Sequence, residues 1–118
     1  MNGSILTDIK EMLGILEGDT GFDGELISHI NAAFSTLTDI AIGPSEGYMI
    51  EDKSNTWNEI SDIKDVVSAC KQYIFSYVRL LFDPPANSFV CDALSKNKDE
   101  LYWRLYMKVN KVPEEKYV

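Results

Sequence analysis

The chain has 118 residues, of which 45% are hydrophobic, and it carries a formal net charge of -8. This length suits one hydrophobic core and is short for two, so we expect a single domain over residues 1–118. No apolar run approaches the roughly 18 residues that cross a bilayer, and the first residues lack the layout of a signal peptide. No membrane association is therefore expected.

The acidic residues are concentrated in the first half of the chain. Residues 1–60 contain eleven Asp or Glu and two Lys, whereas residues 61–118 contain eight Asp or Glu and nine Lys or Arg. An acidic surface repels the phosphate backbone of DNA, which disfavours a role in gripping DNA. Such a surface suits a path along which DNA slides without sticking.

Helical periodicity predicts an all-α fold of four helices, the first from about Ser4 to Leu13. Ser4 is a suitable N-cap, and Gly14 is placed to end the helix. The next residues, 16–24, are rich in Gly and Asp, which is typical of a turn. The first helix is therefore expected to end in a turn.

The second helix is expected to be capped by Asp23 and to run to about Ile42, where Gly43-Pro44 stops it. Its apolar residues are spaced by three and four, which predicts one buried stripe. The stripe consists of Leu26, Ile30, Ala33, Phe34, Leu37 and Ala41.

The helical period disappears over about residues 44–61, where we expect one long irregular loop between the second and third helices. The loop is too apolar for a free tail, since it contains Tyr48, Ile50 and Trp57. Either Trp57 packs the loop onto the protein's own core, or the loop packs on a neighbouring subunit, and the sequence leaves both open. Under the second alternative these three residues form a subunit interface, and Trp57→Ala impairs assembly more than folding.

The third helix, from about Asp62 to Phe82, is the most apolar part of the chain and is expected to lie at the centre of the fold. Asp83-Pro84-Pro85 ends it, because proline cannot donate the helical hydrogen bond. The last helix is expected from about Ala86 to Val109. Its predicted inner stripe is Val90, Leu94, Leu101 and Leu105.

The C-terminal end combines aromatic residues with a tail, residues 108–118, that we expect to be flexible. Aromatic residues of this kind are enriched at protein interfaces. The candidate docking residues at this end are Trp103, Tyr106, Met107, Val109 and Val112.

No catalytic constellation can be assembled from these residues, so we expect no enzymatic activity. His29 is the single histidine, and no phosphate-binding or nucleotide-binding glycine loop occurs. Cys70 and Cys91 belong to no metal motif and are expected to be buried, unpaired thiols. The carboxylates of the first half do not fit a calcium loop and are expected to form a solvated face, without metal or cofactor. They are Asp8, Glu11, Glu17, Asp19, Asp23 and Glu25.

Several short stretches between about residues 4 and 107 resemble, in their order, those of a known protein family. The most specific is Tyr73-Ile74 followed by residues 78–85, with Phe89-Val90 and Ala93 after it. The others are residues 5–10 and 13–15, Asp23 with residues 26–31, residues 42–44, Trp57, and residues 100–105. In this order they resemble the small head-tail connector family of tailed bacteriophages, whose members are head-completion or DNA-packaging adaptor proteins.

The resemblance implies a ring, commonly twelvefold, that docks beneath the portal protein of the filled head. Such a ring extends the DNA channel, with DNA only as passing cargo, and receives a stopper or tail-completion protein. The protein would be assembled in the bacterial cytoplasm and would reside in the virion at the head-tail junction. The aromatic C-terminal end is then the candidate portal-docking element.

Two other classes of protein remain open. An acidic DNA mimic or inhibitor would bind a host DNA-binding enzyme and would form no ring under the electron microscope. An enzyme that uses the acidic residues with a divalent metal would show a higher melting temperature in magnesium or manganese.

Overall fold

The structure, a computed structural model, describes residues 3–110. These residues form the helices α1 (Ile5–Leu13), α2 (Asp23–Thr38), α3 (Lys64–Phe82) and α4 (Ser88–Asn110), with a single-turn 3-10 helix at Trp57–Glu59. The predicted all-α fold with four helices is confirmed. No helix within residues 3–110 combines the length and the apolar character that spanning a bilayer requires.

Helix α3 lies at the centre and packs against α1, α2 and α4. Its buried side chains cover more than one face, as expected for a helix surrounded by others. They are Val66, Val67, Ala69, Cys70, Tyr73, Ile74, Ser76 and Val78. The other helices bury one side each against α3, so the opposite sides of α2 and α4 remain on the surface.

Helix α1 begins and ends where its sequence predicts. The hydroxyl of Ser4 accepts a hydrogen bond from the backbone N–H of Thr7 at 3.2 Å and caps the first turn. Gly14 adopts the left-handed conformation with φ of 81°, and the N–H of Ile15 bonds to the carbonyl of Lys10 at 2.9 Å. This pattern is the glycine-terminated helix end that closes many helices.

Helix α2 ends at Thr38, earlier than the predicted end near Ile42. The reason is a second helix end of the same kind, in which Ala41 holds the left-handed conformation with φ of 66°. The N–H of Ile42 bonds to the carbonyl of Leu37 at 3.1 Å, and the turn carries Ile42 into the core. Ala41 itself is exposed, so its predicted place in the buried stripe is wrong.

The start of α2 also differs from its prediction. Asp23 is the first helical residue, the preceding position belongs to Phe22, and no side chain caps this end. The carboxylate of Asp23 instead lies 2.9 Å from the ammonium of Lys10. It therefore pairs with a charge on α1 rather than with its own backbone.

Lys10 is the main charged residue of the core, with an exposed fraction of 3%. Its Nζ donates hydrogen bonds to the carbonyl oxygens of Glu17 at 3.0 Å and Asp19 at 2.7 Å, besides its ion pair with Asp23. A buried ammonium is tolerated only when it is paired and hydrogen-bonded in this way. Lys10 thus ties α1 to the turn and to the first residue of α2.

The connection between α3 and α4 contains the two prolines that end α3. Asn87 starts α4, since its side-chain oxygen accepts the N–H of Phe89 at 2.8 Å. Helix α4 then extends to Asn110, so residues 108–110 of the predicted tail are helical, while residues 111–118 lie outside the described residues. Of the predicted inner stripe, Leu101 and Leu105 are buried, but Val90 is 51% exposed.

Candidate interaction surfaces

The segment between α2 and α3 is fastened to the rest of the fold by Trp57. Its side chain is buried, and its indole nitrogen donates a hydrogen bond to Asp8 Oδ2 at 2.8 Å. The ammonium of Lys71 lies 3.3 Å from the same carboxylate oxygen and 5.5 Å from the centre of the Trp57 ring. One tryptophan thus joins the segment to α1 and α3.

Backbone contacts strengthen this attachment. The N–H of Ile5 bonds to the carbonyl of Asn55 at 3.0 Å, and Ser4 pairs with Thr56 in an isolated antiparallel bridge. The N–H of Trp57 bonds to the carbonyl of Gly3 at 3.3 Å. The start of α1 and the 3-10 turn therefore hold each other in place.

A second network fixes the exposed side of the segment around Glu59. One carboxylate oxygen accepts hydrogen bonds from the hydroxyl of Tyr48 at 2.6 Å, the amide of Asn55 at 3.1 Å and the N–H of Thr56 at 3.1 Å. The hydrogen bond from Tyr48 is the main reason, and those from Asn55 and Thr56 add to it, that the pKa of Glu59 lies below its ordinary value. Burial, and then the contact with Glu59, raise the pKa of Tyr48 well above its usual range.

These contacts decide between the two alternatives for Trp57. Trp57 and Ile50 have exposed fractions of 1% and 2%, so they belong to the protein's own core and offer no side-chain surface to a neighbouring subunit. Tyr48 is half-buried, with its ring against Phe34 at a centroid distance of 4.9 Å. Ile50 and Trp57 thus have a structural role, and a subunit interface at Tyr48 and the exposed part of this segment stays a prediction.

The aromatic end of α4 is, in contrast, on the surface. Trp103 is 62% exposed, Met107 49% and Tyr106 37%. The rings of Trp103 and Tyr106 meet edge to face at 5.8 Å, and Trp103 meets Tyr102 in the same way at 5.9 Å. Edge-to-face contacts between neighbours hold exposed rings in place, which reduces the entropy lost when a partner binds.

The other candidate docking residues at this end differ in exposure. Val109 is half-buried and packs against the core, and Val112 lies outside the described residues. Arg104 is paired with Glu100 at 2.9 Å on the surface, and Lys108 is paired with Asp65 of α3. This end of α4 therefore offers aromatic rings beside residues of both charges, and Val109 takes little part.

A groove that the sequence did not predict runs along the outer face of α2. It encloses about 760 Å³ between the helix and residues 46–49. Its floor is made of small residues, among them Ser28, Ala32 and Ser35, and its lining includes Asp39 and Glu46. The face of α2 that carries these residues is opposite the buried Ile30 and Leu37.

The histidine and several of the carboxylates considered as candidate metal ligands or catalytic groups are paired with other side chains of the protein. Glu25 lies 3.3 Å from His29 one helical turn later, while Asp8 and Asp23 bond to Trp57 and Lys10. Within residues 3–110 no three side chains of the ligand types are grouped to hold a metal ion. The carboxylates of α1 and α2 thus serve the fold or remain on the surface.

The two cysteines have free thiols in different environments. Cys70 is buried in the core, and burial raises its pKa to about 12. Cys91 is only half-buried, which corrects the expectation that both are buried, and its Sγ lies 3.0 Å from the carbonyl oxygen of Pro85. The two thiols are therefore expected to differ in reactivity.

Together these features define a small helical interaction module, with a fixed core, an aromatic helix end and an open groove on its surface. The model of the phage connector protein family matches residues 5–112, and the chain belongs to that family. Membership indicates a structural connector role in the virion, in contact with other phage head or tail proteins. No curated protein and no solved structure matches the chain.

Proposed function

We propose that the protein is a non-enzymatic part of the virion that forms a ring, docks on the portal protein and joins the filled head to the tail. The observation that carries this proposal is the family match over nearly the whole chain, residues 5–112. In this role the ring, twelvefold in the virion, extends the DNA channel and receives the next stopper or tail-completion protein.

The charge distribution supports passage of DNA rather than binding of DNA. Residues 1–60 carry eleven carboxylates, and only Lys10 and Lys53 oppose them. Lys10 is buried, so it adds no positive charge to the surface. A channel built from this half of the molecule would offer DNA no deep electrostatic well.

The exposed aromatic end of α4 is the proposed portal-docking surface, and Trp103, Tyr106 and Met107 are its main residues. Trp, Tyr and Arg dominate the binding energy of protein interfaces, and Arg104 lies beside this cluster. Val112 follows within the family match, two residues beyond the last described one. The half-buried Val109 is a supporting residue at most.

Binding to purified portal protein tests this assignment. Replacement of both Trp103 and Tyr106 by alanine is expected to weaken binding by about 2 kcal/mol or more, about thirtyfold in Kd. Leu16→Ala is a matched control, since Leu16 is 79% exposed on a different part of the molecule. Equal binding by the two variants would contradict docking through this end of α4.

A phage that lacks the protein tests the function as a whole. Its heads are expected to package DNA but to lose it and to remain separate from tails, so that unjoined heads and tails accumulate. Normal joined virions would overturn the proposal. Tight binding of duplex DNA with a steep salt dependence would also contradict it, because such binding needs a basic surface.

A further inference from the structure

The first turns of α4 expose an apolar side chain that the fold holds in a fixed place. Phe89 is 85% exposed, and Val90 and Leu81 at the same end of the α3–α4 hairpin are 51% and 54% exposed. The cap at Asn87 fixes the backbone of Phe89, so its position is set by the helix. Exposed apolar residues at one end of a hairpin make that end a candidate contact site.

The direction in which Phe89 points follows from the geometry of α4. Phe89, Lys96 and Trp103 are spaced by seven residues and form one line along the helix. At about 100° per residue this line lies on the side roughly opposite Leu101 and Leu105, the two buried residues of α4. Phe89 and Lys96 thus face away from α3 and from the rest of their own chain.

The groove on α2 has complementary properties. Its floor of Ser28, Ala32 and Ser35 leaves room for an aromatic ring, and the carboxylates of Asp39 and Glu46 are part of its lining. Its wall is held in place, because the side-chain amide of Asn31 bonds to both the N–H and the carbonyl of Ile50, at 2.8 and 3.1 Å. The groove is therefore formed before any ligand binds.

The groove on α2 and the apolar end of α4, around Phe89, cannot meet within one molecule. Helices α2 and α4 both pack on α3, each with its buried side, and they have few contacts with each other. The groove lies on the outer face of α2, and Phe89 on the outer face of α4. Two different surfaces that fit each other on separate copies make a head-to-tail contact, which closes into a ring when the rotation allows.

We propose that the Phe89 end of α4 docks into the α2 groove of a second copy of this chain, and that this contact repeats around the ring. The inference rests on the proposed function, since it requires that the protein forms a ring. Lys96, about 10.5 Å from Phe89 along the helix, brings a positive charge to the carboxylates of Asp39 and Glu46. Trp103 lies about 21 Å from Phe89, so portal docking and subunit contact use different ends of α4.

Two variants, each of which removes one side of the contact, test the proposal. Phe89→Asp removes the apolar end, and Ala32→Trp fills the groove, while Leu16→Asp is the control at another exposed apolar site. Assembly is followed by sedimentation and electron microscopy, with and without portal protein, and circular dichroism checks that each variant is helical. Neither variant should form rings alone, whereas Leu16→Asp should behave as the wild type.

A mixture of the two variants gives the sharpest result. Each lacks a different surface, so one intact groove meets one intact apolar end, and we expect a complex of two chains and nothing larger. Rings formed by either variant alone, or by the mixture, would overturn this contact while leaving the proposed function in place. A wild type that forms no ring, even with portal protein, would overturn the proposed function and the contact with it.

Cross-linking tests the same contact by proximity, with circular dichroism and electron microscopy to check that the cysteine variant is helical and forms rings. In a chain with Cys70→Ser and Cys91→Ser, the pair Ala32→Cys and Phe89→Cys is expected to give a ladder of disulfide-linked multimers on oxidation. A mixture of the two single-cysteine chains should stop at dimers. A ladder that is missing although the cysteine variant itself forms rings would contradict the contact.

Discussion

The indole nitrogen of Trp57 is bonded to the carboxylate of Asp8 at 2.8 Å, although 49 residues separate them in the chain. Through this bond the segment between α2 and α3 is attached to the first helix. The same carboxylate also pairs with Lys71 of α3 at 3.3 Å. Trp57, in a segment that looks like an interaction loop in the sequence, is therefore part of the core.

The two tryptophans are expected to respond in opposite ways to alanine substitution. Trp57→Ala should reduce the free energy of unfolding by about 3–5 kcal/mol, because it leaves a cavity and removes the hydrogen bond to Asp8. Trp103→Ala removes an exposed side chain and should change it by less than about 1 kcal/mol. Urea denaturation measures both, and a small loss for Trp57→Ala would return its segment to the role of an interface loop.

Substitutions at the C-terminal ends of α1 and α2 are expected to change the stability of the protein in opposite directions. Gly14→Ala should destabilise the protein by about 1–2 kcal/mol, since an alanine in the left-handed region is strained even where space is open. Ala41→Gly should stabilise it by a similar amount, because it removes that strain at φ of 66°. Thermal and urea unfolding measure both changes, and effects of the same sign would contradict this account.

Glu59 makes stability depend on pH in the acid range. Its hydrogen bonds with Tyr48, Asn55 and Thr56 lower its pKa in the folded protein, so its contribution is present above the ordinary value of 4.5 and is lost as the pH falls through the folded value. Glu59→Gln should therefore show a weaker loss of stability between about pH 5 and pH 3. Glu11→Gln removes one exposed carboxylate outside this network and is the control. Parallel pH profiles for the wild type and Glu59→Gln would argue against this contribution.

The two thiols should be distinguishable by chemical labelling. Burial raises the pKa of Cys70 to about 12, so iodoacetamide is expected to modify Cys91 first in the native protein and both thiols in urea. Mass spectrometry of digested protein measures the order of labelling. The variants Cys70→Ser and Cys91→Ser assign each label, and equal rates or a disulfide between the two residues would disagree with the structure.

The sequence predicts the helices well where local signals agree. Ser4 and Gly14 mark the limits of α1, and Asp83-Pro84-Pro85 marks the end of α3, because caps and prolines act within one turn. The predicted end of α2 is wrong because the left-handed residue that ends the helix is Ala41, and alanine is not a residue type that indicates a helix end. Asp23 is a good cap by residue type, but its tertiary partner Lys10 competes with that local role.

The candidate surfaces depend on long-range contacts and are harder to predict. The residues next to Trp57 in the sequence give no sign of its hydrogen bond to Asp8, 49 positions away. The local pattern therefore cannot decide whether this tryptophan is buried. The groove on α2 arises from the path of residues 46–49 over the helix and has no sequence signature. The outward position of Phe89, in contrast, follows from helical spacing, since it lies about 120° from Leu101 and about 160° from Leu105 around α4.

The buried ammonium of Lys10 has a practical consequence for mapping this protein against its neighbours. Residues 1–60 contain two lysines, and with Lys10 enclosed only Lys53 presents a side-chain amine to the outside. Amine-reactive cross-linkers will therefore report almost entirely on the second half of the chain. Reagents that couple carboxyl groups will detect the first half, where Glu11, Glu17 and Glu25 are exposed.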